Sequence, residues 1–116
     1  MLQPGQLLFD LGQTAQAAER YRLAVDLDHD FVEAWNNLGN ALFQVGEYDE
    51  AIAAFRRALA IQPEYADAHY NLADTLEQTG GHREARRHWR EYLRLEPAGE
   101  WADYARLRLN SWRGTA

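Results

Sequence analysis

WNNLGNALFQVGEYDEAIAAFRRALAIQP, residues Trp35 to Pro63, is written again 34 positions later as HYNLADTLEQTGGHREARRHWREYLRLEP, residues His69 to Pro97. Asn37 returns as Asn71, Leu38 as Leu72, Gly46 as Gly80, Glu50 as Glu84, Ala51 as Ala85, Leu59 as Leu93, Ile61 as Leu95 and Pro63 as Pro97. A fixed period of this length marks one supersecondary unit stacked on copies of itself. Inside the first copy, Trp35, Leu38, Ala41, Leu42 and Val45 fall three and four apart, which predicts one buried face of a helix over 33–45. Gly46 ends that helix, because glycine tolerates the left-handed conformation beyond a helix end. Asp49 and Glu50 suit the positive start of the next helix. Its buried face is Ala51, Ile52, Phe55, Ala58 and Leu59, reaching Ile61, and Pro63 closes the unit.

The second copy predicts helices over 67–79 (Tyr70, Leu72, Ala73, Leu76) and 83–95 (Ala85, Trp89, Tyr92, Leu93, Leu95). Gly80 and Gly81 lie between them. Small residues at Gly39, Ala73, Ala51 and Ala85 let backbones approach, and bulky Phe55 and Trp89 fill the space towards the neighbouring pair. A degenerate copy precedes these. Gly12, Ala17, Tyr21, Ala24 and Leu27 align with Gly46, Ala51, Phe55, Ala58 and Ile61, while Pro4 replaces the leucine and His29 the proline. It predicts a short first helix at 6–11 and a second at 15–27. Downstream, Trp101, Tyr104, Ala105, Leu107, Leu109 and Trp112 predict an amphipathic helix over 100–112 that caps the last pair. The expected organisation is one domain, 1–116: a partial repeat (1–31), two full repeats (32–65 and 66–99) and the cap.

At 116 residues, 47% of them hydrophobic, the chain supports one domain with a core. No apolar run is long enough for a membrane span, and the N-terminus does not look like a signal peptide. Cysteine is absent, so no disulfide or thiolate metal site is expected, and the cytoplasm is the default location. The net charge of −6 is uneven: residues 1–80 hold 13 acids against 4 arginines, residues 81–116 hold 5 acids against 8, and lysine is absent. An acidic body disfavours nucleic-acid binding, which depends on neutralising phosphates.

The repeat resembles the tetratricopeptide (TPR) family, whose pattern is W-x2-L-G-x2-Y followed by A, F, A and P at set offsets. Trp35, Leu38, Gly39, Leu42, Ala51, Phe55, Ala58 and Pro63 carry it once; His69, Leu72, Ala73, Leu76, Ala85, Trp89, Tyr92 and Pro97 carry it again. His69 departs from the aromatic and Tyr92 from the small residue, so the last pair is expected to pack differently against its cap. The resemblance implies an all-α, right-handed superhelix of antiparallel helix pairs whose first helices line a concave groove. It implies a non-enzymatic scaffold that binds an extended or helical peptide. Carried over, the groove positions are Glu33, Asn36, Asn37, Asn40, Phe43 and Gln44, then Asp67, Tyr70, Asn71, Asp74, Glu77 and Gln78. Trp101 and Tyr104 extend the floor at one end, and Gln6, Phe9 and Asp10 at the other.

One TPR subfamily holds a terminal carboxylate with lysine, arginine and asparagine. Here only Asn37 fits, and Asp67 stands where a cation is wanted. Glu33, Asp67, Asp74 and Glu77 instead predict a neutral or basic peptide, whose attraction is screened beyond about 8–10 Å at physiological salt. Asparagine both donates and accepts, so Asn36, Asn40 and Asn71 suit a peptide backbone. The bland reading of the same amides and acids is a solvated helix face. A second class of function is self-association: Leu7, Leu8, Phe9 and Leu11 form an uncovered end, and apolar patches favour assembly. A third is a regulatory domain of a larger bacterial protein, since His88 to Tyr104 resembles the last repeats and caps of such proteins.

Other motifs carry less. Asp26, Asp28 and Asp30 imitate half a calcium loop, but Phe31 and Asn37 stand where glycine and glutamate are needed. His82, Glu84, His88 and Glu91 share a helix without metal-ligand spacing, and no metal or cofactor is expected. Ser111 is the sole serine, and Thr75 and Thr79 lack an evident base, so no catalytic residue is assigned. Arg83, Arg86, Arg87, Arg90 and Arg94 form a stripe that reads as ion pairing and solvation before it reads as a phosphate site.

Overall fold

Gly46 and Gly80 turn the chain where the repeat predicts it. Both have φ of +86°, a left-handed conformation in which a Cβ would clash. Glu47 N–H donates to Leu42 O at 2.8 Å and Gly46 N–H to Phe43 O at 3.0 Å, while Gly81 N–H donates to Leu76 O at 2.8 Å. Carbonyls that a helix end leaves open are thereby satisfied. The structure, a computed structural model, describes residues 4–111, with side chains from residue 12. Six helices follow in order: α1 (Pro4–Leu27), α2 (Val32–Gln44), α3 (Tyr48–Ile61), α4 (Ala66–Gln78), α5 (His82–Leu95) and α6 (Glu100–Ser111). No strand occurs among the described residues. Each helix packs mainly on the next in the chain, and α2 also meets α4 across the repeat. That pattern is a solenoid of helix pairs.

The core lies between successive pairs. Ala51, Ala58, Ala73 and Ala85 are fully buried, as are Phe55 and Trp89. Burying a phenylalanine stabilises by about 1.5–3 kcal/mol. The small residues allow this close stacking. A Cβ added at Gly39 would stand 2.4 Å from Phe55 Cε1, so the ring lies directly on the α2 backbone. Trp89 brings an indole N–H into the core, and it donates to Glu77 Oε2 at 2.5 Å. Thr75, also fully buried, donates its hydroxyl to Asn71 O at 2.7 Å.

The first repeat departs from expectation. Helix α1 runs from Pro4 to Leu27 without a break at Gly12, so the predicted pair at 6–11 and 15–27 is one continuous rod. Unlike Gly46, Gly12 is not among the glycines of positive φ. It is followed by Gln13-Thr14-Ala15-Gln16-Ala17, residues that continue a helix, where Gly46 and Gly80 each sit in a turn with its own hydrogen bonds. A glycine inside a helix costs only about 1 kcal/mol relative to alanine. On α1 the aligned Tyr21 and Ala24 are half-buried against the core. Ala18 and Val25 are buried, whereas Leu27, aligned with Ile61, is 89% exposed. The side chains of Gln6, Leu7, Leu8, Phe9, Asp10 and Leu11, and Trp112 altogether, lie outside the described residues.

Candidate functional site

The inner side of the solenoid is walled by α2 and α4, with the start of α6 at one end. A hollow of about 370 Å³ is lined by Glu33, Asn36, Asn37, Asn40, Tyr65, Asp67, Tyr70, Asn71, Tyr92 and Trp101. Beside it, a smaller one of about 240 Å³ adds Phe43, Gln44 and Asp74. A third, of about 490 Å³, lies between α1 and α2 and is lined by Gln13, Thr14, Ala17 and Tyr21 with Asn37, Asn40 and Gln44. Asn40 borders all three, so they form one channel.

Ten of the twelve groove positions carried over from the family pattern line this channel. Glu77 and Gln78 do not. Glu77 holds the place in its repeat that Phe43 holds in the one before, but its side chain is only 8% exposed. It accepts from Trp89 Nε1 and from Arg108, whose Nε lies 2.7 Å away. It serves the core because Trp89, unlike Phe55, needs an acceptor. Trp101 lines two of the hollows. Tyr104 packs behind it, 6.1 Å from Tyr70 and 5.9 Å from Trp89 between ring centroids. Tyr65, Tyr92 and the α1 residues were not anticipated. The one signal for Tyr92 was its departure from the small residue the pattern wants.

The wall chemistry is amide, acid and aromatic. Asn71 Nδ2 donates to Asn36 Oδ1 at 3.1 Å, so these two amides brace α2 against α4, and Asn36 is 4% exposed. The side chains of Asn37 and Asn40 make no hydrogen bond among the described residues. Glu33, Asp67 and Asp74 likewise have no ion pair there. Burial raises the Asp74 pKa, and Glu77 adds to the effect while Arg108 opposes it. Helices α2 and α4 contain neither lysine nor arginine. Four arginines pair away from the channel: Arg22 with Glu50, Arg56 with Glu84, Arg94 with Glu64 and Glu91, Arg106 with Asp103. Tyr70 is the hub of the aromatics. It meets Trp89, Tyr92 and Trp101 edge-on at 5.0, 5.2 and 5.4 Å. Burial first, then Asp74 and the neighbouring phenols, push its pKa up to about 12.

His69 answers its own departure from the pattern. Trp35 Nε1 donates to His29 O at 2.8 Å, and His69 Nε2 bonds Pro63 O at the same distance. Donor and acceptor both recur 34 residues on, so the imidazole keeps the indole's bond to the inter-repeat turn. A carbonyl only accepts, so Nε2 carries the proton. His69 Nδ1 therefore accepts from His88 Nδ1 at 2.9 Å. His88 Nε2 lies 3.3 Å from Glu84 Oε2; a second proton there would make the ring a cation, the form that Glu84 favours and burial opposes. Burial lowers the His88 pKa, with Glu84 opposing. Glu84 itself is held at about 2, chiefly by its bond from Arg56. Among the described residues no three His, Asp or Glu side chains are grouped to hold a metal ion, and no helix is long and apolar enough to cross a membrane.

Family comparison agrees with this architecture. The family model described as TPR repeat matches residues 5–46 and again 39–80. This chain belongs to the TPR repeat family. No curated protein matches it in sequence. Among solved TPR structures, MamA is 30% identical with a TM-score of 0.82, over 92% of this chain and 61% of that one. The chain thus spans about three-fifths of MamA's length. YrrB, described as a TPR protein with an unusual peptide-binding site, is 27% identical with a TM-score of 0.76, over 89% of this chain and 53% of that one. The Yersinia enterocolitica type III secretion chaperone SycD, solved with a peptide of the translocator YopD, is 20% identical with a TM-score of 0.81. It covers 89% of this chain and 82% of its own, and at that identity the likeness is one of fold.

Proposed function

We propose that this chain is a non-enzymatic docking module that binds an extended or helical segment of another protein along the channel between α2, α4 and Trp101. The observation that carries the reading is the state of the wall: the side chains of Asn37, Asn40, Glu33, Asp67 and Asp74 lie along one channel with no hydrogen bond or ion pair among the described residues. Free amides satisfy a peptide backbone, and unpaired carboxylates favour a neutral or basic segment over an acidic one or a nucleic acid. Peptide-bound relatives such as SycD support the mode of use. The test is selection from a peptide library of mixed charge, followed by titration of the selected peptides against the chain and the Asn37→Ala/Asn40→Ala variant. Binding that the double variant weakens at least tenfold supports the channel; selected peptides that bind both proteins equally refute it.

Self-association is the second reading. Leu23 and Leu27, one turn apart on α1, are 62% and 89% exposed. Light scattering that gives a monomer at high concentration for both the chain and Leu27→Glu would remove it.

A further inference from the structure

The 370 Å³ hollow between α2, α4 and Trp101 is more specific than a peptide channel requires. Three tyrosines and a tryptophan line it: Tyr65, Tyr70, Tyr92 and Trp101. Their rings are not stacked flat on one another. Tyr70 meets Tyr92 at 68° and Trp101 at 87°, so Tyr92 and Trp101 are not paired off face to face with it. Trp101 is 64% exposed, an apolar area at the rim. Two carboxylates complete the lining. Glu33 and Asp67 occupy the same place, in the first turns of α2 and α4, in successive repeats. Neither has a counter-ion among the described residues.

From this juxtaposition we infer that the hollow is a cation pocket, which takes one arginine or lysine side chain of the docked segment between the Tyr65, Tyr92 and Trp101 rings with its charge towards Glu33 and Asp67. A cation within about 6 Å of an aromatic centroid gains about 0.5–2 kcal/mol, more when water is excluded. A carboxylate pair adds directional hydrogen bonds, and the planar guanidinium of arginine fits both partners better than an ammonium. The surrounding charges agree. Tyr65 has its pKa raised by burial and then by Asp67 and Glu33; Tyr92 has it raised by burial and then by Glu96 and Asp67. The field at both hydroxyls is therefore negative. No lysine or arginine on α2 or α4 competes for the place, and His69 is turned to Pro63 and His88.

This inference rests on docking in the channel, and its test separates the two. Peptides selected by their dependence on Asn37 and Asn40 are resynthesised with each arginine or lysine replaced by norleucine, which keeps the aliphatic stem and removes the charge. The pocket predicts one position whose replacement weakens binding about tenfold, equivalent to about 1.4 kcal/mol. Asp67→Asn and Trp101→Ala should each cost about as much for the parent peptide and little for its norleucine form. Both residues are exposed, so each variant should still unfold in one cooperative thermal transition, which serves as the control for folding. As an independent probe, N-acetyl-arginine methylamide should give saturable shifts of the Trp101 indole N–H resonance, and N-acetyl-norleucine methylamide should not. Channel-dependent peptides that lack a required cation, or equal shifts from both amides, overturn the pocket and leave the channel standing. A library with no channel-dependent binder overturns both.

Discussion

Alanine at Gly39 and alanine at Gly12 should move stability in opposite directions, although both glycines lie inside helices. The usual expectation is a gain of about 0.5–1 kcal/mol for replacing a helical glycine. Gly12 should show it, because a Cβ there meets nothing within 4 Å. At Gly39 the Cβ would lie 2.4 Å from Phe55 Cε1 and 2.7 Å from Cδ1 and Cζ. Carbon atoms rest at about 3.5–4.0 Å, so the ring or the helix must move by roughly 1 Å. Phe55 is fully buried and cannot swing into solvent. Overpacking of this kind costs about 1–3 kcal/mol, and with several ring atoms engaged the upper end applies. After the propensity gain, the net loss at Gly39→Ala is about 2 kcal/mol. At about 4 °C or more per kcal/mol for a domain of this size, the melting temperature falls by roughly 8 °C. Urea denaturation followed by circular dichroism reads it as a lower midpoint at unchanged slope. Phe55→Leu in the Gly39→Ala background should recover about 1 kcal/mol of the sum of the two single losses. A Gly39→Ala protein as stable as the parent would refute the close stacking of α2 on Phe55, and with it the packing account of the whole array.

Arg108→Met should destabilise by about 2 kcal/mol, because the nearly buried Glu77 carboxylate loses its cation. Faster amide hydrogen exchange confined to α6 would confirm it, and unchanged exchange would contradict it. His69→Phe removes the donor to Pro63 O and the acceptor for His88, with an expected cost of about 1–3 kcal/mol. His69→Trp should cost less, since an indole keeps the first of these bonds. For pH, both His88 and Glu84 have lowered pKa values in the fold. The unfolded chain therefore binds their protons first, and stability rises with pH through each window. Stability should fall as pH drops below about 6.5 as His88 is charged, and again from about 4.5 towards 2 as Glu84 is protonated. Melting curves of His88→Gln should lose the upper step and keep the lower; an identical profile would sink the assignment.

Helix positions were legible because their signals are local. The three- and four-residue spacing of Leu38, Ala41 and Leu42 marks a buried face, and Gly46 and Gly80 mark turns that only a left-handed residue makes well. The register of 34 then implied which helices stack. Gly12 shows where local reading fails: the same residue at the aligned position continues a helix, because a turn also needs a partner helix to fold back on. The groove was legible as a face and not as a pocket. Counting along α2 and α4 finds Asn37, Asn40, Glu33 and Asp67, but Tyr65 sits in a turn and Tyr92 on a second helix, so no count along one helix reaches them.

The amino-acid order alone determined a periodic array of helix pairs and its acidic inner helices, because periodicity and charge survive without coordinates. Only the tertiary structure decided which polar groups are spent and which remain. Asn36 and Asn71 bind each other, Glu77 serves Trp89 and Arg108, and His69 takes over a tryptophan's bond. Asn37, Asn40, Glu33 and Asp67 are left without partners among the described residues. The Asn36–Asn71 and Glu77–Arg108 contacts join residues 35 and 31 positions apart, and the distances that form them exist only once the helices have packed.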